Sequence, residues 1–156
     1  MNIFVLDHDP ILAAQYHCDK HVVKMILETA QMMSTVHFLH GVGNVPYKPS
    51  HQNHPCVKWA ATNSSNYNWL AQLGIALGKE FEFRRGKKHK SVEIIENLFV
   101  QPGSMQRSNA ITPHALAMPT EYVSSNAVES YRNYYKGAKK DICKWAWGRP
   151  QPAWWK

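Results

Sequence analysis

The hydrophobic and polar positions between residues 10 and 39 follow the period of an α-helix. Advancing by about 100° per residue separates two faces. The apolar face carries Val22, Val23, Ile26, Leu27, Ala30 and Met33, and the polar face carries His17, His21, Lys24, Glu28, Gln31 and Thr35. We expect the apolar face to join the core. Asp9 and Pro10 make a good helix start, and "CDKH" from Cys18 offers a second one, so this region is either one helix or two with a break there.

A second long helix is predicted from Pro55 to about residue 83. The preceding segment, "HGVGNVPYKPSHQN", holds two glycines and two prolines and is typical of a loop. Asn53 or His54 can cap the helix, and Gly86 ends it.

The remaining regular structure is also predicted to be helical. Ser91 can cap "VEIIENLF", residues 101–119 form a long loop, and a further helix spans roughly 120–140. Residues 2–6, "NIFVL", are either a short strand or a buried extended segment. We therefore predict an all-α protein with a single domain over 1–156, four or five helices and at most one short N-terminal strand.

Charge and aromatic content point to nucleic acid. Lysine and arginine outnumber acids 18 to 11, the pI is about 9.4, and aromatic residues make up 12% of the chain. Basic side chains neutralise phosphate while flat rings stack on bases. Cys18, Cys56 and Cys143 are scattered and form no CxxC pair, which is typical of a reducing compartment. No apolar run is long enough to span a bilayer. We expect a cytoplasmic protein without a membrane partner.

Four residues of the polar helix face are candidate catalytic groups, namely His17, His21, Lys24 and Glu28. His21 or Glu28 can act as a general acid or base, and Lys24 can bind phosphate or serve as a nucleophile. Two alternatives stay open. Lys24 and Glu28 can be a simple surface ion pair, and Asp7, His17 and His21 can be metal ligands, with Glu28 nearby.

Two basic segments are candidate phosphate contacts. "RRGKKHKS" concentrates positive side chains around one glycine, and the C-terminal part interleaves tyrosine and tryptophan with cations. The predicted nucleic-acid-binding residues are Arg84, Arg85, Lys87, His89, Lys90, Arg132, Lys136 and Arg149.

The order of these pieces resembles the pyrimidine-dimer DNA glycosylases of the bacteriophage endonuclease V type. The pieces are "MNIFVLD", "CDKHVVKM", "HPCVKWA", "RRGKKHKS" and "YRNYYKGAKK". The resemblance implies a compact helical fold that flips a base out of the duplex. It also implies that the N-terminal α-amine attacks the sugar C1′, forms a Schiff base and cuts the strand by β-elimination.

Two features depart from that family. Its nucleophile is the amine of a threonine exposed by removal of methionine, whereas Asn2 follows Met1 here and is large enough to block that removal. The family also has an acid where "CDKH" lies, and the nearest acid on the helix face here is Glu28.

These observations favour a DNA-acting enzyme of glycosylase or glycosylase/AP-lyase type. We expect His21, Lys24 and Glu28 to line its pocket beside the N-terminal segment. We further expect DNA as the partner, no cofactor and a monomer. One alternative is a metal-dependent enzyme acting on free nucleotides, and another is a nucleic-acid-binding protein without catalysis.

Overall fold

The computed structural model describes all 156 residues, and its regular structure is entirely helical. The α-helices are α1 (Pro10–Tyr16), α2 (Asp19–Leu39), α3 (Pro55–Thr62), α4 (Ser64–Arg85), α5 (Val92–Asn97) and α6 (Ala127–Lys136), and short 3-10 turns occupy Thr120–Tyr122 and Ala153–Trp155. The predicted all-α class is confirmed. There are six α-helices where four or five were expected, and residues 2–6 form no strand.

The predicted helix over residues 10–39 is two helices, with the break at His17 and Cys18. Asp9 caps α1 as predicted, since its carboxylate accepts a hydrogen bond of 2.8 Å from the backbone N–H of Ile11. Cys18 has extended backbone angles and is the residue before α2, and its carbonyl accepts the first backbone hydrogen bond of that helix, 3.0 Å from the N–H of Val22.

The predicted helix from Pro55 is also divided. Asn63 is extended, and its side chain accepts a hydrogen bond of 2.9 Å from the N–H of Asn66, which starts α4. A capping asparagine inside an apolar pattern is the signal for this break. Gly86 ends α4 in the left-handed region with φ 67°, as the sequence indicated.

Two details of the C-terminal half differ from prediction. The helix expected over 120–140 covers only α6, because Asn126 caps it by accepting a hydrogen bond of 2.9 Å from the N–H of Glu129. Ser91 precedes α5 as predicted, but its hydroxyl makes no capping hydrogen bond. Its backbone is helical, and its hydroxyl lies 3.0 Å from the hydroxyl of Tyr47.

The core lies where α1, α2, α3 and α5 pack around α4. It includes the extended segment Ile3, Phe4, Val5 and Leu6 as well as the fully buried rings of Tyr67, Tyr131 and Tyr135. Gly74 allows α4 to approach α2 closely, because a Cβ atom there would lie 2.8 Å from Cγ2 of Thr29. No helix combines the length and apolar character needed to cross a membrane.

The two faces predicted for α2 are only partly correct. Val22, Ile26 and Met33 are buried as expected, whereas Leu27 is exposed. The face predicted to be polar is largely enclosed by other elements, and His21 is only 3% exposed. This face is covered because the N-terminal segment, α6 and the C-terminal tail pack over it.

Candidate active site

The N-terminal segment is held in place by the side chain of Asn2. Its Nδ2 donates to the carbonyl of Ala117 at 2.9 Å, and its Oδ1 accepts from the N–H of Ile3 at 2.8 Å and the hydroxyl of Tyr131 at 3.1 Å. Because the next residues are buried, the position of Met1 is fixed by its neighbours.

The amine of Met1 faces a carboxylate on α2. It lies 3.8 Å from Oε2 of Glu28, whose side chain is 13% exposed. The other carboxylate oxygen of Glu28 lies 3.6 Å from Nζ of Lys24, one helical turn earlier, and the Lys24 side chain is 64% exposed. Glu28 is therefore shared between two amines, one fixed and one extending into solvent.

The start of α3 borders the same group. Nδ1 of His54 accepts from the N–H of Cys56 at 3.1 Å. Partial burial lowers the pKa of His54, and the positive Met1 amine and His51 lower it further, while Glu28 opposes the shift. Burial raises the pKa of the Cys56 thiol, whose Sγ lies 3.6 Å from Oδ1 of Asn2. His54 is thus within electrostatic range of both the amine and Glu28.

His17 and His21 lie in the interior. Nδ1 of His17 is 2.6 Å from the carbonyl of Ala13, its Nε2 has no partner, and burial lowers its pKa to about 3. His21 stacks on Phe4 with ring centroids 4.5 Å apart, and its Nδ1 lies 2.6 Å from the hydroxyl of Tyr135. Of the four predicted catalytic residues, only Lys24 and Glu28 make contact with each other.

The alternative metal ligands are not gathered into one group. Asp7 pairs with Nη2 of Arg132 at 3.1 Å, and the only cluster of three or more histidine, cysteine or acidic ligand atoms consists of Cys18, His21 and Cys143. Spacing along the chain does not predict this cluster, because Cys143 is far from the other two residues.

Arg84, predicted to contact phosphate, has a buried guanidinium. Its Nε donates to Glu80 at 3.0 Å, and Nη1 donates to Asp19 at 3.0 Å and to the carbonyl of His17 at 2.8 Å. Nη2 donates to the carbonyl of Gln15 at 2.9 Å. Arg84 therefore joins α4 to the break between α1 and α2.

Arg132 and Arg149 are also engaged within the protein. Arg132 donates from Nε to the carbonyl of Leu6 at 2.9 Å in addition to its bond with Asp7. Arg149 forms a bidentate pair with Glu80, with a shortest distance of 2.6 Å, and its guanidinium lies over the ring of Phe83.

The remaining predicted cations form the accessible set. Arg85, Lys87, Lys90 and Lys136 are exposed and belong to no ion pair. Arg85 lies 4.2 Å from the ring centroid of Trp147. His89 is half-buried, and its Nδ1 accepts from the N–H of Ser91 at 3.1 Å.

Two clefts of the surface lie apart from the amine. One, of about 430 Å³, lies between α1 and α4 and is lined by Gln72 and Phe83 among others. The second, of about 550 Å³, contains Trp69 and His114. Met1, Lys24 and Glu28 line neither cleft. The candidate active site is therefore identified from the pairing of the amine with the carboxylate and not from the shape of a cavity.

An N-terminal amine beside a largely buried carboxylate on α2, with an exposed basic segment on the same molecule, fits an enzyme that acts on DNA. Residues 1–94 match the family of pyrimidine dimer DNA glycosylases, and the chain belongs to that family. The match extends over the N-terminal segment, Glu28, His54 and the basic segment after α4, and it supports a glycosylase-type function on DNA in DNA repair. No curated protein and no solved structure matches the chain.

Side-chain patterns in the sequence did not indicate two groups near Glu28. The amine of Met1 belongs to the backbone, so only the family resemblance pointed to it. His54 is the first residue of "HPCVKWA", a motif that predicted a helix start and that the structure also brings near Glu28.

Proposed function

We propose that this glycosylase excises a damaged base and then cuts the strand, with the amine of Met1 as nucleophile and Glu28 as its partner. The observation that carries this proposal is the 3.8 Å approach of the amine to a carboxylate that is 13% exposed. A carboxylate in that position can accept a proton from the amine and then face the positive charge of an imine.

The proposed reaction begins with the unprotonated amine. As a class, α-amines lose their proton at lower pH than lysine side chains, which favours them as nucleophiles at neutral pH. The nitrogen lone pair forms a bond to C1′ as the glycosidic bond breaks, and the proton released by the amine ends on the departing base. As the sugar ring opens, its oxygen takes a proton from water and becomes a hydroxyl, and the nitrogen and C1′ are left as a protonated imine.

Strand cleavage follows from the imine. Water takes the C2′ proton, the 3′ phosphate leaves by β-elimination, and a further water molecule hydrolyses the imine to free the amine. Glu28 is close enough to the amine nitrogen to stabilise the positive charge throughout. Lys24 holds the other carboxylate oxygen and is sufficiently exposed to contact a phosphate.

We further propose that the base leaves the stack before attack, since C1′ is not accessible inside an intact duplex. The exposed cations Arg85, Lys87, Lys90 and Lys136 would then hold the sugar–phosphate backbone. Arg84, Arg132 and Arg149 would act within the protein, because their guanidinium groups already bond to carboxylates. His17 and His21 would also be structural rather than catalytic.

Borohydride trapping tests this mechanism. Duplexes carrying an abasic site or a thymine dimer are incubated with the protein and sodium borohydride, and the adduct is mapped by peptide mass spectrometry. We expect a covalent protein–DNA band with the added mass on residue 1. The intact mass of the purified protein shows whether Met1 is retained.

A chain extended by two residues before Met1 is the matched control, because it keeps Glu28 and Lys24 but moves the free amine. It should bind DNA and give no adduct. An adduct on Lys24 would assign the nucleophile to that side chain. Absence of any band, with DNA still bound at low salt, would remove the lyase mechanism.

A further inference from the structure

Two thiols and an imidazole lie close together in the protein interior, those of Cys18, Cys143 and His21. The proposed reaction uses none of these groups. One potential ligand atom from each residue lies within 4.8 Å of the others. The three residues are 0%, 3% and 6% exposed. We propose that this cluster is a binding site for a zinc ion that fastens the C-terminal segment to the start of α2.

The dimensions of the cluster suit zinc. With Zn–S bonds of about 2.3 Å and Zn–N bonds of about 2.0–2.1 Å, ligand atoms in a tetrahedral site lie roughly 3.5–3.8 Å apart. The observed upper limit of 4.8 Å exceeds that spacing by about an ångström, which small side-chain rotations can close. Thiolate and imidazole together select zinc over magnesium, calcium or manganese, which prefer oxygen ligands.

The backbone already fixes the three positions. Cys18 directly precedes α2 and His21 lies in its first turn, a spacing of two intervening residues that is common for zinc ligands. The C-terminal segment is attached beside them: the N–H of Asp19 donates to the carbonyl of Lys144 at 2.9 Å, and the carboxylate of Asp19 accepts from the N–H of Ala146 at 2.6 Å.

The surroundings of His21 also fit a ligand. Its ring is held by stacking on Phe4, and its Nδ1 lies 2.6 Å from the hydroxyl of Tyr135. A hydrogen bond at one ring nitrogen orients a histidine and leaves the other nitrogen for the metal. Three protein ligands leave one tetrahedral position for a water molecule.

Metal analysis of the full-length protein tests the site directly. The protein is expressed with added zinc, purified under reducing conditions without chelator, and analysed by inductively coupled plasma mass spectrometry. We expect about one zinc ion per chain. Cys18→Ser and Cys143→Ser should each lower the zinc content severalfold. Cys56→Ser, which alters the third buried cysteine outside the cluster, should leave it unchanged.

Cobalt substitution provides a measurement that needs no variant to fold. Cobalt added to the zinc-free wild-type protein should produce an intense thiolate-to-cobalt charge-transfer band and the visible absorption of tetrahedral cobalt. Zinc should abolish both bands by displacement. Removal of zinc with a chelator should lower the melting temperature of the wild type and leave that of Cys143→Ser unchanged.

Three results would overturn the proposal. The first is wild-type protein with neither zinc nor a thiolate–cobalt band. The second is a Cys18–Cys143 disulfide in the metal-free protein that persists under the reducing conditions. The third is a zinc content that all three serine variants share, which would show an adventitious metal only.

Discussion

Arg84 and Arg85 are consecutive residues at the end of α4, and they have opposite environments. The guanidinium of Arg84 is buried and bonds to Glu80 and Asp19, whereas that of Arg85 is exposed and lies over Trp147. The two arginines look equivalent in the sequence "RRGKKHKS". In the structure, Arg84 forms ion pairs in the interior, whereas Arg85 lies at the surface.

Replacement of Arg84 should unfold the protein far more readily than the same change at Arg85. Arg84→Gln leaves the buried carboxylate of Asp19 without its cation and leaves Glu80 with Arg149 alone, and we expect the free energy of unfolding to fall by about 3–5 kcal/mol. Arg85→Gln should change it by about 0.5 kcal/mol or less. Urea denaturation of both variants at neutral pH measures the difference. Equal stabilities would contradict the buried network.

The salt dependence of DNA binding should report the exposed cations. Each of Arg85→Gln, Lys87→Gln and Lys90→Gln should reduce the slope of log affinity against log salt by about 0.9 if that residue contacts one phosphate. Lys88 lies 3.3 Å from Glu96, so Lys88→Gln should have a smaller effect. A triple variant with the wild-type slope would place the DNA on a different surface.

Glu28→Gln should abolish most of the activity while the fold is retained. An amide of the same shape cannot accept the amine proton or offset a positive imine, so we expect a loss of about 10²–10⁴-fold in single-turnover rate on an abasic duplex. Glu96→Gln, which breaks the exposed pair with Lys88, is the matched control and should be fully active. Circular dichroism and DNA affinity check that only the chemistry has changed.

His114 should contribute to a loss of stability in acid. Its ring stacks on Trp59 with centroids 4.4 Å apart and lies edge-to-face with Trp69 with centroids 4.6 Å apart. Its Nε2 is buried without a hydrogen-bond partner. Burial, with a smaller effect from the nearby His8, lowers its pKa to about 4. The unfolded chain takes up this proton below about pH 6.5 and the folded chain only near pH 4, so stability falls across that interval.

His114→Phe keeps an aromatic ring between the tryptophans and removes the titration. When the pH is lowered from 8 to 5, the free energy of unfolding of the wild type should fall by about 1–2 kcal/mol more than that of the variant. The comparison uses urea denaturation of both proteins at both pH values. An identical pH dependence would show that His114 is not held neutral by burial.

Gly74→Ala should weaken the packing of α4 against α2 and α5. The new Cβ would lie 2.8 Å from Cγ2 of Thr29 and 3.2 Å from the side chain of Ile95, so the helices would have to separate slightly. We expect a loss of about 1–3 kcal/mol. Gly103→Ala, where a Cβ meets no atom within 4 Å, should be neutral. Thermal unfolding of the two variants distinguishes crowding from a general effect of alanine.

Local signals predicted the helical class and several helix boundaries. Asp9 with Pro10 and the left-handed Gly86 act through neighbouring backbone atoms, so a short stretch of sequence contains the whole cause. The break at Cys18, offered as one of two possibilities, follows the same logic; the break at Asn63 also has a local cause but was not predicted. The family resemblance, confirmed over residues 1–94, came from the order of several such stretches.

The environments of individual side chains depend on distant residues. Helical periodicity divides α2 into two faces but does not reveal that Phe4 and Tyr135 cover His21. The meeting of Cys18 with Cys143 likewise depends on how the C-terminal segment folds back. Arg84 pairs with Asp19, a residue far away in the chain, and only the packing of α4 against the start of α2 brings the two together. From sequence alone, every cation of the basic segment was therefore predicted to be exposed.

The portion of the chain that matches the family stops at residue 94, but the core does not stop there. The ring of Phe4 packs against Tyr131 and Tyr135 on α6, with centroids 6.0 Å and 5.2 Å apart. Tyr131 also bonds to Asn2, next to the proposed nucleophile. A chain truncated after residue 94 would expose this interior and release its own N-terminus. The segment that carries the family likeness is therefore shorter than the cooperative unit that must fold to position the amine.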